Sequence, residues 1–265
     1  MSNGKHLVPI NSNKPNLILI HGWACDSNIW KDFIPLLEEI FVVKTFNLPG
    51  YDATPLENNF NYDMDSVSNA LHKQISDIEK PFVLGWSLGG LVAMHYACKY
   101  QNQISGLITL ASTPCFMKKA NWPGIPVADF EKLQNNLLTD VKKTIKKFLL
   151  WQVHQHKNYQ HLLQHIHQLS DGAFIPSTKT LLDSLLLLEN DIRDAVQKLP
   201  CKQLHILGEI DPIVCNGWDK KLFTNLDKSK ITFKTLPTAG HLPFITNATQ
   251  TFEAIKEFVE PLCKQ

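Results

Sequence analysis

The 265-residue sequence has no long apolar stretch, no surplus of either charge and no paired cysteine motif. Uninterrupted apolar runs are short, such as Leu185 to Leu188, whereas a membrane-spanning helix takes about 20 apolar residues, so no transmembrane helix is expected. The start, Met1-Ser-Asn-Gly-Lys-His, carries no apolar segment ending in a small-residue cleavage site, so no signal peptide is expected either. The 26 Lys and Arg nearly cancel the 25 Asp and Glu. A net charge of +1 gives the whole chain no drive toward nucleic acid or membrane. The cysteines at 25, 98, 115, 201, 215 and 263 are too dispersed for a CxxC pair, which excludes a zinc knuckle or a thioredoxin-type centre. They read as free thiols in a reducing compartment, and a cytoplasmic location is expected. Internal repeats and low-complexity linkers are also missing. What remains is an ordinary globular composition, 44% hydrophobic and 19% charged, which excludes disorder as the main state.

The order of elements is informative. Asn16–Ile20, Val42–Phe46, Phe82–Gly85, Gly106–Leu110, Gln203–Leu207 and Ile231–Thr235 have strand length and end near Gly, Pro or Asn. Most are apolar nearly throughout, as strands buried on both faces must be. Helical patterns such as Met64–Ile78 and Leu88–Tyr100 lie between them, which implies an α/β fold with a mostly parallel central sheet flanked by helices. His6–Ile10 reads as a short antiparallel strand. The alternation stops between about 114 and 189. There Phe130, Leu133, Leu137, Val141, Ile145, Phe148 and Leu149 recur at helical spacing as one amphipathic helix, followed by helices near Tyr159–Leu169 and Ser177–Leu188. Residues 1–113 and 190–265 are therefore expected to form the core and 114–189 an inserted helical lid. Ligands of such sheets bind at the carboxyl ends of the strands, where a lid would cover them.

Phe82-Val-Leu runs into Gly85-Trp86-Ser87-Leu88-Gly89 and then a helical pattern, which is G-x-S-x-G in a strand–turn–helix setting. A serine on so sharp a turn needs small neighbours, and it sits at a helix N-terminus that favours developing negative charge. A hydroxyl is a weak nucleophile and needs a base. Of eleven histidines, His241 stands in a loop after the last expected strand; His95 and His205 fall inside a helix and a strand. The base needs an acid. Asp211 follows the strand at Gln203–Leu207, with Glu209 as its rival. The order Ser87, Asp211, His241 is that of hydrolases rather than of the serine proteases. Oxyanion donors are expected from the backbone of Leu88 and of Trp23 in His21-Gly22-Trp23; the His21 side chain reads as structural.

With these marks the sequence resembles the α/β-hydrolase family over essentially its whole length. Asn47-Leu-Pro-Gly50, Gly208-Glu-Ile-Asp211 and Gly240-His241 add to the likeness. Ala111-Ser-Thr-Pro-Cys-Phe116 and Trp122-Pro-Gly-Ile125 are more specific. They resemble the esterases that act on the methyl ester of pimeloyl-[acyl-carrier protein] in biotin synthesis. That resemblance implies a carboxylesterase releasing methanol, with Ser87 as nucleophile, His241 as base and Asp211 as orienter, and without cofactor or metal. It also implies that Trp23 walls the acyl pocket and that an acyl-carrier protein is the partner, with the enzyme a monomer. Residues 141–169 hold five lysines, five histidines and no acid, which suits an acidic partner. Lys143 and Lys147 fall where the family places docking arginines. Gln160 and Gln164 stand where it has two more, with His161 and His165 beside them. Lysine lacks the bidentate grip of arginine, so this face departs from the family pattern. A general short-chain esterase, a carbon–carbon bond hydrolase, a carrier-protein thioesterase and a non-catalytic receptor are the competing readings.

Overall fold

The computed structural model describes residues 14–54, 56–57, 59–170, 174–215, 218 and 230–263. The expected strand at His6–Ile10 lies outside them. Six strands form one sheet: β1 (Asn16–Ile20), β2 (Val42–Phe46), β3 (Phe82–Trp86), β4 (Gly106–Leu110), β5 (Lys202–Gly208) and β6 (Ile231–Leu236). The spatial order is β2-β1-β3-β4-β5-β6 and every neighbouring pair is parallel. Period-two alternation sorts the apolar side chains onto two faces. Ile18, Ile20, Val83 and Leu107 belong to one core, and Leu17, Leu19, Leu84 and Ile108 to the other. The edge strands β2 and β6 largely alternate part-buried with exposed positions and fully bury only their last residue, whereas β3 and β4 are buried throughout.

Helices cover both faces. Helix α1 (Ile34–Leu37) packs on the C-terminal helix Ala248–Cys263, while α2 (Met64–Ile75) and α3 (Leu88–Lys99) cover the opposite side. Asp63 caps α2 by accepting the Ser66 N–H at 2.7 Å.

Among the described residues, the stretch between β4 and β5 holds four longer helices, α4 (Val127–Thr139), α5 (Val141–Val153), α6 (Tyr159–Leu169) and α7 (Thr178–Leu186), besides shorter turns of helix before β5. The continuous periodicity from Phe130 to Leu149 is thus two helices rather than the one expected. Asp140, in extended conformation at φ −157° and ψ 96°, ends α4 and caps α5. Its N–H donates to the Asn136 carbonyl, and its carboxylate accepts the Lys143 N–H, each at 2.9 Å. The specific segments before α4 fold onto each other. The Ile125 N–H donates to the Phe116 carbonyl at 2.7 Å, and Trp122 Nε1–H to the Cys115 carbonyl at 2.7 Å. All six cysteines are free, and among the described residues no helix is long and apolar enough to cross a membrane.

Candidate active site

The turn from β3 to α3 holds Ser87 at φ 54° and ψ −120°, a backbone state disfavoured for a side-chain-bearing residue. Tertiary bonds hold it there. The Ser87 N–H donates to the Leu110 carbonyl at 3.0 Å, and Ser112 Oγ–H donates to the Ser87 carbonyl at 2.7 Å. Glycine is required at 89 because a Cβ there would collide with the Ile20 carbonyl oxygen of β1. The elbow is therefore wedged against the end of the neighbouring strand.

His241 is fully buried, with Nε2 2.9 Å from Ser87 Oγ. Its Nδ1 lies 2.9 and 3.1 Å from the two carboxylate oxygens of Asp211. A carboxylate beside Nδ1 fixes the proton on that nitrogen, so Nε2 is free to accept the Ser87 hydroxyl proton. Asp211 is itself held in place: its Oδ1 accepts the N–H groups of Ile213 and Val214 at 2.8 and 3.0 Å. Glu209 instead accepts the Thr238 N–H at 3.3 Å, so the acid facing the histidine is Asp211. Trp86 Nε1–H donates to the His241 carbonyl at 2.7 Å, tying the histidine loop to β3, the strand that leads into Ser87.

The other histidines weighed from sequence have structural settings. His21 donates from Nδ1 to the Gly22 carbonyl at 2.8 Å and accepts the Leu48 N–H at Nε2, at 3.0 Å; burial pushes its pKa down to about 4. His205 bonds Thr109 and Gln203 inside β5, and burial pushes it down to about 3. His95, on α3, bonds Ser68 at 2.9 Å.

Leu88 is the first residue of α3, and Trp23 lies in the turn after β1. Among the hydrogen bonds of the described residues, neither backbone N–H donates to a protein acceptor. Gly22 answers a packing need: a Cβ there would lie 2.8 Å from the Trp86 ring. The Trp23 side chain bonds the Leu181 carbonyl through Nε1–H at 2.9 Å and meets Phe148 edge-on, with centroids 4.9 Å apart. It therefore joins the core to α5 and α7.

A cavity of about 420 Å³ opens onto Ser87. Its walls are Trp23, Phe116, Ile125, Phe130, Leu133, Phe148, Leu188 and Ile213, and Asp129, Lys132, Asn136 and Lys147 supply polar lining. The lining is predominantly apolar, with Ser87 part of it. Lys142, Lys143, Lys146 and Lys147 are exposed on α5, while Thr144, Phe148 and Leu149 turn inward. Lys147 alone of these lysines reaches the cavity. Gln160, His161 and Gln164 are exposed on α6, whereas His165 lies 2.9 Å from the Asp32 carboxylate. Sequence reasoning missed Trp86 and Ser112. Both stand inside segments the sequence reading singled out, but their partners, the His241 and Ser87 carbonyls, are distant in the chain.

Residues 15–248 match the family described as alpha/beta hydrolase fold. The chain is 31% identical to a pimeloyl-[acyl-carrier protein] methyl ester esterase of Wigglesworthia glossinidia brevipalpis, over 95% of this chain and 96% of that protein. A protein of the same name from Aeromonas hydrophila subsp. hydrophila is 32% identical, over 92% of this chain and 95% of that one. Among solved structures, an esterase from Exiguobacterium antarcticum superposes with a TM-score of 0.82 at 21% identity, covering 94% of this chain and 92% of the other. A bromoperoxidase from Bacillus anthracis gives 0.82 at 20% identity with the same coverage, 94% and 92%. At that identity the structural likeness speaks to the fold alone.

Proposed function

The chain belongs to the α/β-hydrolase fold family and is a carboxylic ester hydrolase, and we propose that it cleaves the methyl ester of a pimeloyl chain carried on an acyl-carrier protein. The observation that carries the chemistry is His241 lying 2.9 Å from Ser87 Oγ and 2.9 Å from Asp211. Ser87 Oγ attacks the ester carbonyl carbon as its proton passes to His241 Nε2. The oxyanion takes the N–H groups of Leu88 and Trp23. Collapse of the tetrahedral intermediate expels methoxide, which leaves as methanol with the proton from His241. Water then attacks the acyl-enzyme with His241 again as base. The carboxylate departs, and Ser87 regains its proton.

The substrate assignment rests on relatives of that printed name matching nearly end to end. The apolar cavity suits a seven-carbon chain, and residues 114–189 act as a lid over it. The lysine face of α5, with Lys143 and Lys147, offers an acidic carrier protein complementary charge. Free thiols accord with action in the cytoplasm.

Methanol release from pimeloyl-carrier-protein methyl ester, measured beside p-nitrophenyl butyrate hydrolysis, tests the reading. Ser87-dependent methanol release is the expected result. Turnover of the small ester alone would leave a serine esterase without the carrier-bound substrate, and release of monomethyl pimelate with free carrier thiol, without methanol, would make it a thioesterase.

A further inference from the structure

The helical block meets the core along a groove of about 720 Å³, separate in its lining from the acyl cavity. The block contributes the turn between α5 and α6 and the start of α6; the core contributes Glu209, Thr238 and Thr246. His156 sits in that turn with its backbone held on both sides. Its N–H donates to the Val153 carbonyl at 2.9 Å, and its carbonyl accepts the Tyr159 N–H at 3.1 Å. Its ring reaches across to Gly240. A Cβ on Gly240 would lie 2.5 Å from His156 Nε2, and the next atoms met, at 3.3 and 3.5 Å, belong to the same ring. Gly240 does not have the left-handed backbone that would itself demand glycine. Its missing side chain makes room for His156.

The next residue is His241, whose carbonyl Trp86 holds at 2.7 Å. The catalytic loop is thus tied by a hydrogen bond at His241 and packed against the block's histidine at Gly240. His156 Nε2 is buried and has no hydrogen-bond partner. Burial lowers the pKa of the ring, so it is neutral where it packs. A buried nitrogen without a partner is costly. The ring therefore acts here by its shape.

We propose that His156 is a positioning residue, a buttress on Gly240 through which the seating of the helical block sets the alignment of His241. This rests on the Ser87–His241–Asp211 reading above. The test measures kcat and KM on p-nitrophenyl butyrate per serine titrated with a fluorophosphonate, with Ser87→Ala as blank. His156→Ala should lower kcat roughly tenfold, because a small misplacement of a catalytic group is enough for that, while KM stays within about twofold. His156→Phe should keep most of kcat, since it restores a flat ring without the nitrogen. Gly240→Ala, whose new methyl meets that ring before any other group, should lower kcat as His156→Ala does, and the double variant should fall no further. Unchanged kcat per titrated serine in His156→Ala, even with a lower Tm, would overturn the proposal, as would losses that multiply in the double variant. If His156→Ala does not fold, the comparison of Gly240→Ala with His156→Phe decides the question. Turnover persisting in Ser87→Ala would instead overturn the triad reading itself.

Discussion

Ser87→Ala removes one oxygen from a turn that several other bonds hold in shape, so the protein should fold normally by circular dichroism and thermal melting. Turnover should fall by a factor of about 10³ or more, because the remaining oxyanion donors have no nucleophile to serve. The Asp211→Asn change tests a subtler point. An amide can donate to Nδ1, which moves the imidazole proton to Nε2 and leaves no base facing Ser87. We expect a loss on the order of 10⁴ in kcat with little change in KM. Glu209→Gln should leave kcat near the parent value, since that carboxylate bonds the Thr238 N–H rather than His241. A large loss from Glu209→Gln with none from Asp211→Asn would reverse the assignment. Ser87 was legible in the sequence because its signal is local: strand, turn and helix lie within a dozen residues. His241 and Asp211 were legible only as loop residues after the right strands. Trp86 and Ser112 were not legible, because each acts on a backbone carbonyl that only the folded chain brings near.

Among the elements, the strands were the easiest to read. β3 and β4 are covered on both faces, so their apolar content carries the assignment without alternation. The helical block was read in outline, with the break at Asp140 missed. Apolar spacing of three and four continues across Asp140 because α4 and α5 both bury residues on the side of the cavity, and a one-residue interruption leaves that rhythm intact. The available signal was Asp140 immediately before Val141, a capping residue inside an otherwise regular run. The same block carries the test of carrier recognition. Lys143 is exposed and absent from the cavity lining, whereas Lys147 helps line it. Lys143→Glu should therefore raise KM for the carrier-bound substrate severalfold and leave p-nitrophenyl butyrate untouched, and the difference should shrink as salt rises. Equal loss on both substrates would mean that Lys143 supports the helix rather than the partner. Lys147→Glu does not separate the two roles, since a charge reversed at the cavity wall also reaches small esters.

For the molecule as a whole, the buried histidines make stability depend on pH in a defined direction. His21 and His205 are fully buried, and burial pushes their pKa values from 6.5 down to about 4 and about 3. In the unfolded chain both bind a proton as pH drops through 6.5; in the folded chain they do so only near the lowered values. Between those limits unfolding takes up protons, so stability is lost as pH falls. Each group contributes roughly 1.4 kcal/mol per pH unit in its window. The two act together from about 6 down to about 4, and His205 continues alone toward about 3. His95 and His156, also lowered by burial, have the same sign. Asp191, held below the usual carboxylate range by its bond to Arg193, adds to the loss as pH falls through its ordinary value of about 3.8 and below. Urea midpoints should accordingly be flat from pH 8 to 7 and drop steeply between pH 6 and 4. His205→Asn should start from a lower midpoint, because the Thr109 and Gln203 side chains lose their partner, yet decline less steeply over that interval. A parent curve without that drop, or a variant curve parallel to it, would show that these rings are protonated in the folded protein, and the hydrogen bonds of His205 would then have to be redrawn with both ring nitrogens donating.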